Sequence, residues 1–112
     1  MACEFHPEAK RELFEAVAYY DEINLDLGNQ FIQEVEQTLD RIEQFPQAWA
    51  FLSANSRRCR LSSFPYGIVY QVAAQGILIV AVMHLQRKPG YWSVAFGTAK
   101  LLALSKPALS PT

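Results

Sequence analysis

The spacing of apolar residues changes near Pro46, and this change limits what the chain can fold into. Before Pro46 the apolar residues recur every three to four positions, as in an amphipathic helix. After it, short β-branched and aromatic runs follow the two-residue alternation of strands. A helical part followed by a strand-rich part predicts an α+β domain, in which helices cover the apolar face of a sheet. The 112 residues suffice for one such domain.

The first part predicts two helices packed as a hairpin. Pro7 fits the first turn of a helix, where its missing N–H costs nothing, and Glu8 suits the positive helix end. The Leu27-Gly28-Asn29 stretch predicts the break between the helices, and Pro46 stops the second one. The expected buried positions are Ala9, Leu13, Ala16, Val17 and Tyr20 in the first helix and Phe31, Val35, Leu39, Ile42 and Phe45 in the second.

The second part predicts three consecutive antiparallel strands. Arg58 and Arg60 alternate with Cys59 and Leu61, which indicates a strand with one basic and one apolar face. Apolar strands are expected at 68–72 and 77–82, with a tight turn between them, and a loop at 47–56. Residues 3–6 predict an edge strand. The expected fold is an N-terminal two-helix hairpin packed on a small twisted antiparallel β-sheet.

Charge is divided unequally along the chain. All eleven acidic residues lie between Glu4 and Glu43, against three basic ones, which gives that part a net charge of −8. The remainder has seven basic residues and no carboxylate side chain, a net charge of +7. This division indicates a basic surface for a polyanion or an acidic partner. The alternative is that the two parts neutralise each other within the fold.

Several function classes have no support in the sequence. Cys3 and Cys59 are far apart, which argues against a zinc site or a disulfide framework and fits a reducing cytoplasm. The zinc-protease, phosphate-loop and Ser/His/Asp patterns are missing, so we expect no metal and no cofactor. The longest apolar run is too short to span a bilayer. A soluble, cytoplasmic protein is expected.

The candidate site is a group of cations. Arg58 and Arg60 are two positions apart on one strand, so both side chains should project from one face. Arg87 and Lys88 follow the last strand, which could bring them to the same face. Guanidinium groups match the oxygens of phosphate. The alternative is a solvated sheet face, or ion pairs with the helices.

Two aromatic residues follow these cations. Tyr91 and Trp92 offer flat rings on which a base could stack. Cations beside aromatic rings suit single-stranded nucleic acid, although packing into the core is an equal alternative for the two rings. His84, which stands alone near a strand end, is more readily a structural histidine than a base.

The sequence resembles the RelE/ParE toxin superfamily over residues 3–92, and only a tail of residues 93–112 lies outside the resemblance. The helical stretches FHPEAKRELFEAVAYYDE and LGNQFIQEVEQTLDRIEQFP are similar to that family's hairpin. The stretches RRCRLSSFPYGIVYQV and ILIVAVMHLQRKPGYW are similar to its basic strand and the strands that follow. The combination carries the resemblance, since no single stretch would suffice.

The resemblance implies the toxin of a type II toxin–antitoxin module, of the plasmid-stabilisation type. RelE-like members cut messenger RNA on the ribosome without a metal, whereas ParE-like members poison DNA gyrase and are not nucleases. A detoxified member acting through its antitoxin is a third possibility. The retained strand arginines favour the translational target. An antitoxin partner is implied in every case, and it typically wraps the toxin with a segment that folds on binding.

The resemblance also assigns roles to individual residues. The RelE branch has an arginine at the position of Gly67, and its loss here weakens the ribonuclease assignment. Tyr91 is the nearest candidate for the tyrosine of that branch, although an alignment without gaps places Ser93 at that position. The implied catalytic residues are Arg58, Arg60, Arg87 and Tyr91, and the implied substrate-binding residues are Arg57, Lys88 and Trp92.

Overall fold

The computed structural model describes residues 3–86, which form two helices packed on a five-stranded sheet. The strand order in the sheet is β1-β5-β4-β3-β2. This arrangement confirms the α+β fold, whereas the expected tail at 93–112 lies outside the described residues. The elements are β1 (Cys3–Phe5), α1 (Pro7–Ile23), α2 (Leu25–Gln44), β2 (Phe51–Ser53), β3 (Ser56–Arg60), β4 (Tyr66–Ala73) and β5 (Gly76–His84).

Asn24 alone separates the two helices. Its backbone N–H donates to the Tyr20 carbonyl at 2.9 Å, which closes α1. Its side-chain oxygen accepts from the Asp26 N–H at 2.8 Å, which caps α2. One residue therefore serves as C-cap and N-cap. The expected break at Leu27-Gly28-Asn29 is wrong, because these residues lie in the first turn and a half of α2.

Gly28 permits close helix packing rather than a turn. A Cβ atom at this position would lie 1.7 Å from Oδ1 of Asp21 on α1. Glycine in a helix usually costs stability, but here it leaves the space that the Asp21 side chain occupies between α1 and α2. The glycine that suggested a break between the helices therefore accommodates a side chain of the neighbouring helix.

The sheet is mixed and not antiparallel throughout. The predicted β3-β4-β5 meander is present, with antiparallel pairing at both of its junctions. At one edge, however, β1 pairs in parallel with β5, with Cys3 opposite Ile77 and Phe5 opposite Ile79. Both helices and three strands separate β1 from β5 in the chain, so no hairpin fixes their relative direction.

The strand β2 lies inside the segment expected to be a loop. It has only three residues and pairs antiparallel with β3 through the two-residue turn at 54–55. So short a strand has too few positions to show alternation. Its presence brings the residues of 47–56 beside the basic strand.

The core lies on both faces of the sheet. Ile68 and Tyr70 belong to a large cluster under the helices, whereas Val69 between them belongs to a smaller cluster on the opposite face. The expected apolar helix faces are confirmed except at Phe45, which is exposed. The smaller cluster contains Val69, Val80, Ala81 and Met83, with Leu52 and Leu78 packed against it.

Candidate functional site

Arg58 and Arg60 share one face of β3, as their spacing predicted. Arg58 lies opposite Val69 of β4, and Arg60 lies opposite Gly67. Cys59 between them is buried in the cluster under the helices. The two arginines therefore lie on the sheet face turned away from α1 and α2.

Gly67 makes room for the side chain of Arg58. A Cβ atom at position 67 would lie 2.8 Å from Cδ and 2.9 Å from Cγ of Arg58, and 3.3 Å from Cδ2 of Leu85. The aliphatic stem of Arg58 thus passes directly over the glycine. An arginine here, as in the RelE branch, would require Arg58 to move. The glycine that stands at position 67 in place of the arginine of the RelE branch therefore affects the conformation of Arg58, a candidate site residue.

Within residues 3–86, no ion pair joins the acidic hairpin to these cations. The ion pairs within residues 3–86 join Arg11 to Glu8 at 2.8 Å and to Glu15 at 2.7 Å, and both are internal to α1. Burial, and next the positive charge of Arg60, lower the pKa of Arg58. An arginine stays charged under such a shift, because its ordinary pKa lies so high. The basic face remains positive in this part of the fold.

Arg57 has a different environment from its neighbours. Its Nη1 atom donates to the carbonyls of Gln47 at 3.0 Å and Trp49 at 2.8 Å. Its guanidinium carbon also lies 3.8 Å from the ring centre of Phe51. Arg57 therefore ties the loop after α2 to the β2–β3 hairpin, and its implied contact with a substrate stays a prediction.

A cleft of about 480 Å³ adjoins the two strand arginines. It lies beside the start of β2. Because the first residue of β2 pairs with Arg57, residues 58–60 of β3 have no neighbouring strand on this side of the sheet. The residues that line it are Arg41, Trp49, Ala50, Phe51, Leu52, Arg58, Cys59 and Arg60.

Three residues of this cleft, Arg41, Trp49 and Phe51, were not predicted from the sequence. Arg41 on α2 adds a third guanidinium, whose Nη2 donates to Thr38 Oγ1 at 3.1 Å and to the Arg60 carbonyl at 3.2 Å. Trp49 donates from Nε1 to the Arg41 carbonyl at 3.4 Å. The available signals were that Arg41 is the one basic residue between Arg11 and Arg57, and that Trp49 and Phe51 directly precede the basic strand.

The other predicted site residues lie outside the described part of the chain. These are Arg87, Lys88, Tyr91 and Trp92, and the convergence of Arg87 with Arg58 and Arg60 stays a prediction. His84 is described, and it lies away from the cleft. Its ring stands 5.1 Å from that of Tyr66, and its Nδ1 accepts from the Gln86 N–H at 3.2 Å.

The lining residues that the structure describes give the cleft positive charge and provide no carboxylate or imidazole to accept a proton. Among its described lining residues, Cys59 is the one ionisable group that is not an arginine, and burial raises the pKa of its thiol. Within residues 3–86 no group of three His, Cys, Asp or Glu residues is placed to hold a metal ion. Neither described helix has the length and apolar character needed to cross a membrane.

Comparisons with known proteins show the family to which the chain is similar. The family model described as "ParE toxin of type II toxin-antitoxin system, parDE" matches residues 3–89. The chain belongs to the ParE toxin family. It is thus the toxin component of a type II toxin–antitoxin system, and the family implies an antitoxin partner.

Individual relatives of this ParE-family toxin support the assignment. It is 34% identical over 88 residues to Toxin ParE2 of Mycobacterium tuberculosis, in strains CDC 1551 and H37Rv, covering 75% of this chain and 81% of the relative. A chain from the chromosomal ParDE system of P. aeruginosa has a similar fold, with a TM-score of 0.59 and 13% identity. That match covers 77% of this chain and 97% of the other.

Proposed function

We propose that this ParE-family toxin arrests growth by binding DNA gyrase and not by cleaving RNA. The observation that supports the proposal is the makeup of the cleft beside Arg58 and Arg60. Cleavage of RNA by its own 2′-hydroxyl requires a group that accepts a proton. The described lining residues provide arginines and aromatic rings, with Cys59 buried as a protonated thiol.

Two further observations favour binding over cleavage. Gly67 removes a cation that the RelE branch uses, and the stem of Arg58 occupies that space. The chain also matches the ParE branch of the superfamily over most of its length. The guanidinium groups of Arg58 and Arg60 suit carboxylates of an acidic protein surface as well as phosphates of bound DNA.

Two assays performed side by side test the target. Purified toxin is added to a gyrase supercoiling reaction and, separately, to translating ribosomes whose message is mapped by toeprinting. We expect inhibited supercoiling and intact message. The Arg58→Ala/Arg60→Ala variant should lose the inhibition, whereas Lys10→Ala, which removes an exposed cation from α1, should retain it. Cut message together with normal supercoiling would contradict the proposal.

Growth after expression without the antitoxin tests the third possibility. Inhibition of gyrase predicts a DNA-damage response before translation declines. Normal growth at high toxin levels, with the Arg58→Ala/Arg60→Ala variant indistinguishable from the wild type, would instead indicate a detoxified member of the family.

We further infer that the antitoxin covers exposed apolar side chains of the helical hairpin. Several large apolar side chains of the two helices are exposed, including Leu25 at 72% and Phe14 at 61%. A disordered segment that folds on binding can cover such a dispersed surface. The exposed apolar residues of the two helices are Phe14, Tyr19, Ile23, Leu25 and Ile32.

Co-elution with the neighbouring gene's product tests this interface. Leu25→Glu should weaken the complex, because a carboxylate would replace an exposed apolar contact. Gln75→Glu introduces the same charge at an exposed position in the β4–β5 turn and serves as the control. Equal co-elution of both variants would place the antitoxin elsewhere.

A further inference from the structure

We propose that the segment 91–104 of this chain packs on the sheet face opposite the helices. Such packing makes the sheet the middle layer of three, with α1 and α2 on one side and this segment on the other. It does not depend on which target the toxin binds, and so it goes beyond the proposed function.

Four strand residues on that face are buried more completely than the described elements explain. Val69, Val80, Ala81 and Met83 are between 0% and 1% exposed. The apolar side chains grouped with them belong to β2 and β5, and neither helix contributes one. Side chains on an uncovered sheet face remain partly accessible to solvent. The cover is therefore expected from the chain outside residues 3–86.

The chain leaves β5 toward this face. Leu85 directly follows β5, and its Cδ2 atom would lie 3.3 Å from a Cβ atom at position 67. The stem of Arg58 lies over the same position, so the Leu85 side chain reaches the face that carries Arg58. The Leu85 N–H donates to the Pro65 carbonyl at 2.8 Å, which fixes this exit. The chain after residue 86 therefore starts from the side of the sheet where the cover is needed.

The segment 91–104 has the composition and the length of a cover. It contains three aromatic residues and three leucines, and Lys100 is its one charged residue. Pro89-Gly90 before it is typical of a turn, which would direct the segment back over β5. Even as a helix, with about 1.5 Å per residue, the segment would span roughly 20 Å, several times the roughly 4.8 Å between strands.

Charge limits the segment to the β4–β5 half of this face. Arg58 and Arg60 occupy the β3 half, and the segment has no carboxylate side chain to pair with them. Covering a guanidinium that has no partner costs free energy, whereas covering apolar side chains is favourable. The two arginines therefore stay accessible to the target, beside the edge of the covering segment.

Methionine methyl NMR on the full-length toxin tests the packing. The chain has two methionines, and the signal that is lost in Met83→Leu identifies the Met83 methyl group. We expect nuclear Overhauser effects from this methyl group to aromatic protons of the segment 91–104. A mixture of labelled and unlabelled toxin shows whether these effects arise within one chain or between two copies.

Two double variants separate this contact from a general loss of aromatic rings. Trp92→Ser/Phe96→Ser removes two rings of the segment and should expose the Met83 methyl group, so that a soluble gadolinium chelate broadens its signal. Phe14→Ser/Tyr19→Ser removes two rings of α1 that are 61% and 59% exposed. This control should leave the Met83 signal as protected as in the wild type. Thermal melting shows whether each variant is folded.

Three results would overturn the inference. The first is the lack of any effect between the Met83 methyl group and the segment 91–104 in the wild type. The second is an effect that arises only between two copies, which would make a second copy the cover. The third is equal protection of the Met83 methyl group in the two double variants. The wild-type spectrum decides the question even if a variant does not fold, and none of these results bears on the inhibition of gyrase.

Discussion

At position 67 a hydrogen atom takes the place of a side chain, and the stem of Arg58 fills the space. A Cβ atom there would approach Cδ and Cγ of Arg58 to below 3.0 Å. Carbon atoms that are not bonded attract each other best at about 3.5–4.0 Å, so the contact would be strongly repulsive. The obstructed atoms belong to a flexible side chain, so Arg58 would move and the strand would remain in place. Gly67 is therefore a positioning residue.

Gly67→Ala should weaken the inhibition of gyrase supercoiling by about tenfold, because the displaced Arg58 would lose a charge-assisted hydrogen bond to the target. The melting temperature should change little. The measurement is a double-mutant cycle in the supercoiling assay, with Gly67→Ala made in the wild type and in Arg58→Ala. In the Arg58→Ala background the added methyl group should have no further effect.

Additive effects in that cycle would show that Gly67 acts on something other than Arg58. Ala73→Gly, the opposite change near the exposed end of β4, controls for a general effect of backbone flexibility. This control should leave the inhibition unaltered in both backgrounds.

The arginines at positions 57 and 58 show what strand alternation can predict and what it cannot. Alternation places Arg58 and Arg60 on one face and Arg57 on the other, and the pairing with β4 confirms it. The partners of Arg57 could not be predicted, because they are backbone carbonyls of a loop whose path depends on the completed fold. The periodicity of a strand therefore predicts on which face of the sheet a side chain lies. Its contacts with distant loops become known only from the structure.

At the scale of elements, α1 begins on a group that titrates. His6 is its N-cap, and Nδ1 accepts from the Glu8 N–H at 3.1 Å. This bond requires Nδ1 without a proton. Burial lowers the pKa of His6 below its ordinary value of 6.5, and the nearby charge of Glu8 opposes this shift only in part.

The stability of the fold should therefore decrease as the pH falls below about 6.5. In that range the unfolded chain binds more protons at His6 than the folded one, so protonation favours unfolding. Above pH 6.5 the contribution of the cap is fully present. The measurement is the urea midpoint at a series of pH values between about 7.5 and 5.

His6→Asn is the matched variant, since asparagine caps helices well and does not titrate in this range. The difference in urea midpoint between wild type and variant should shift in favour of the variant as the pH is lowered. A constant difference across the series would show that His6 does not contribute this pH dependence. The other titratable residues are identical in the two proteins.

The elements also differ in how well they could be predicted. The apolar faces of α1 and α2 are visible in the sequence because helical periodicity repeats over many residues. The helix junction was misplaced because Gly28 resembles a turn residue, whereas its function is to let Asp21 approach. The strand β2 was missed because three residues carry too little pattern. With it, the aromatic part of the cleft was missed as well.

At the scale of the whole molecule, the separation of charge along residues 3–86 becomes a separation in space. The ion pairs of the described residues stay within α1, so the carboxylates of the hairpin do not neutralise β3. A protein with a net charge of only −1 can therefore present a locally positive cleft. The net charge alone would suggest that the protein binds polyanions or acidic partners weakly. The grouping of arginines on β3 instead predicts that it binds them at this cleft.

Salt dependence tests whether the basic face of β3 contacts the target. Salt screens exposed charges, so binding of the wild-type toxin to gyrase should weaken as the salt concentration rises. The Arg58→Ala/Arg60→Ala variant should bind more weakly, and its binding should respond less to salt. Lys10→Ala removes a charge from the exposed surface of α1, and its binding should respond to salt as the wild type does. If Lys10→Ala lowered the response as much as the double variant, binding would follow overall charge and the basic face would not be the site.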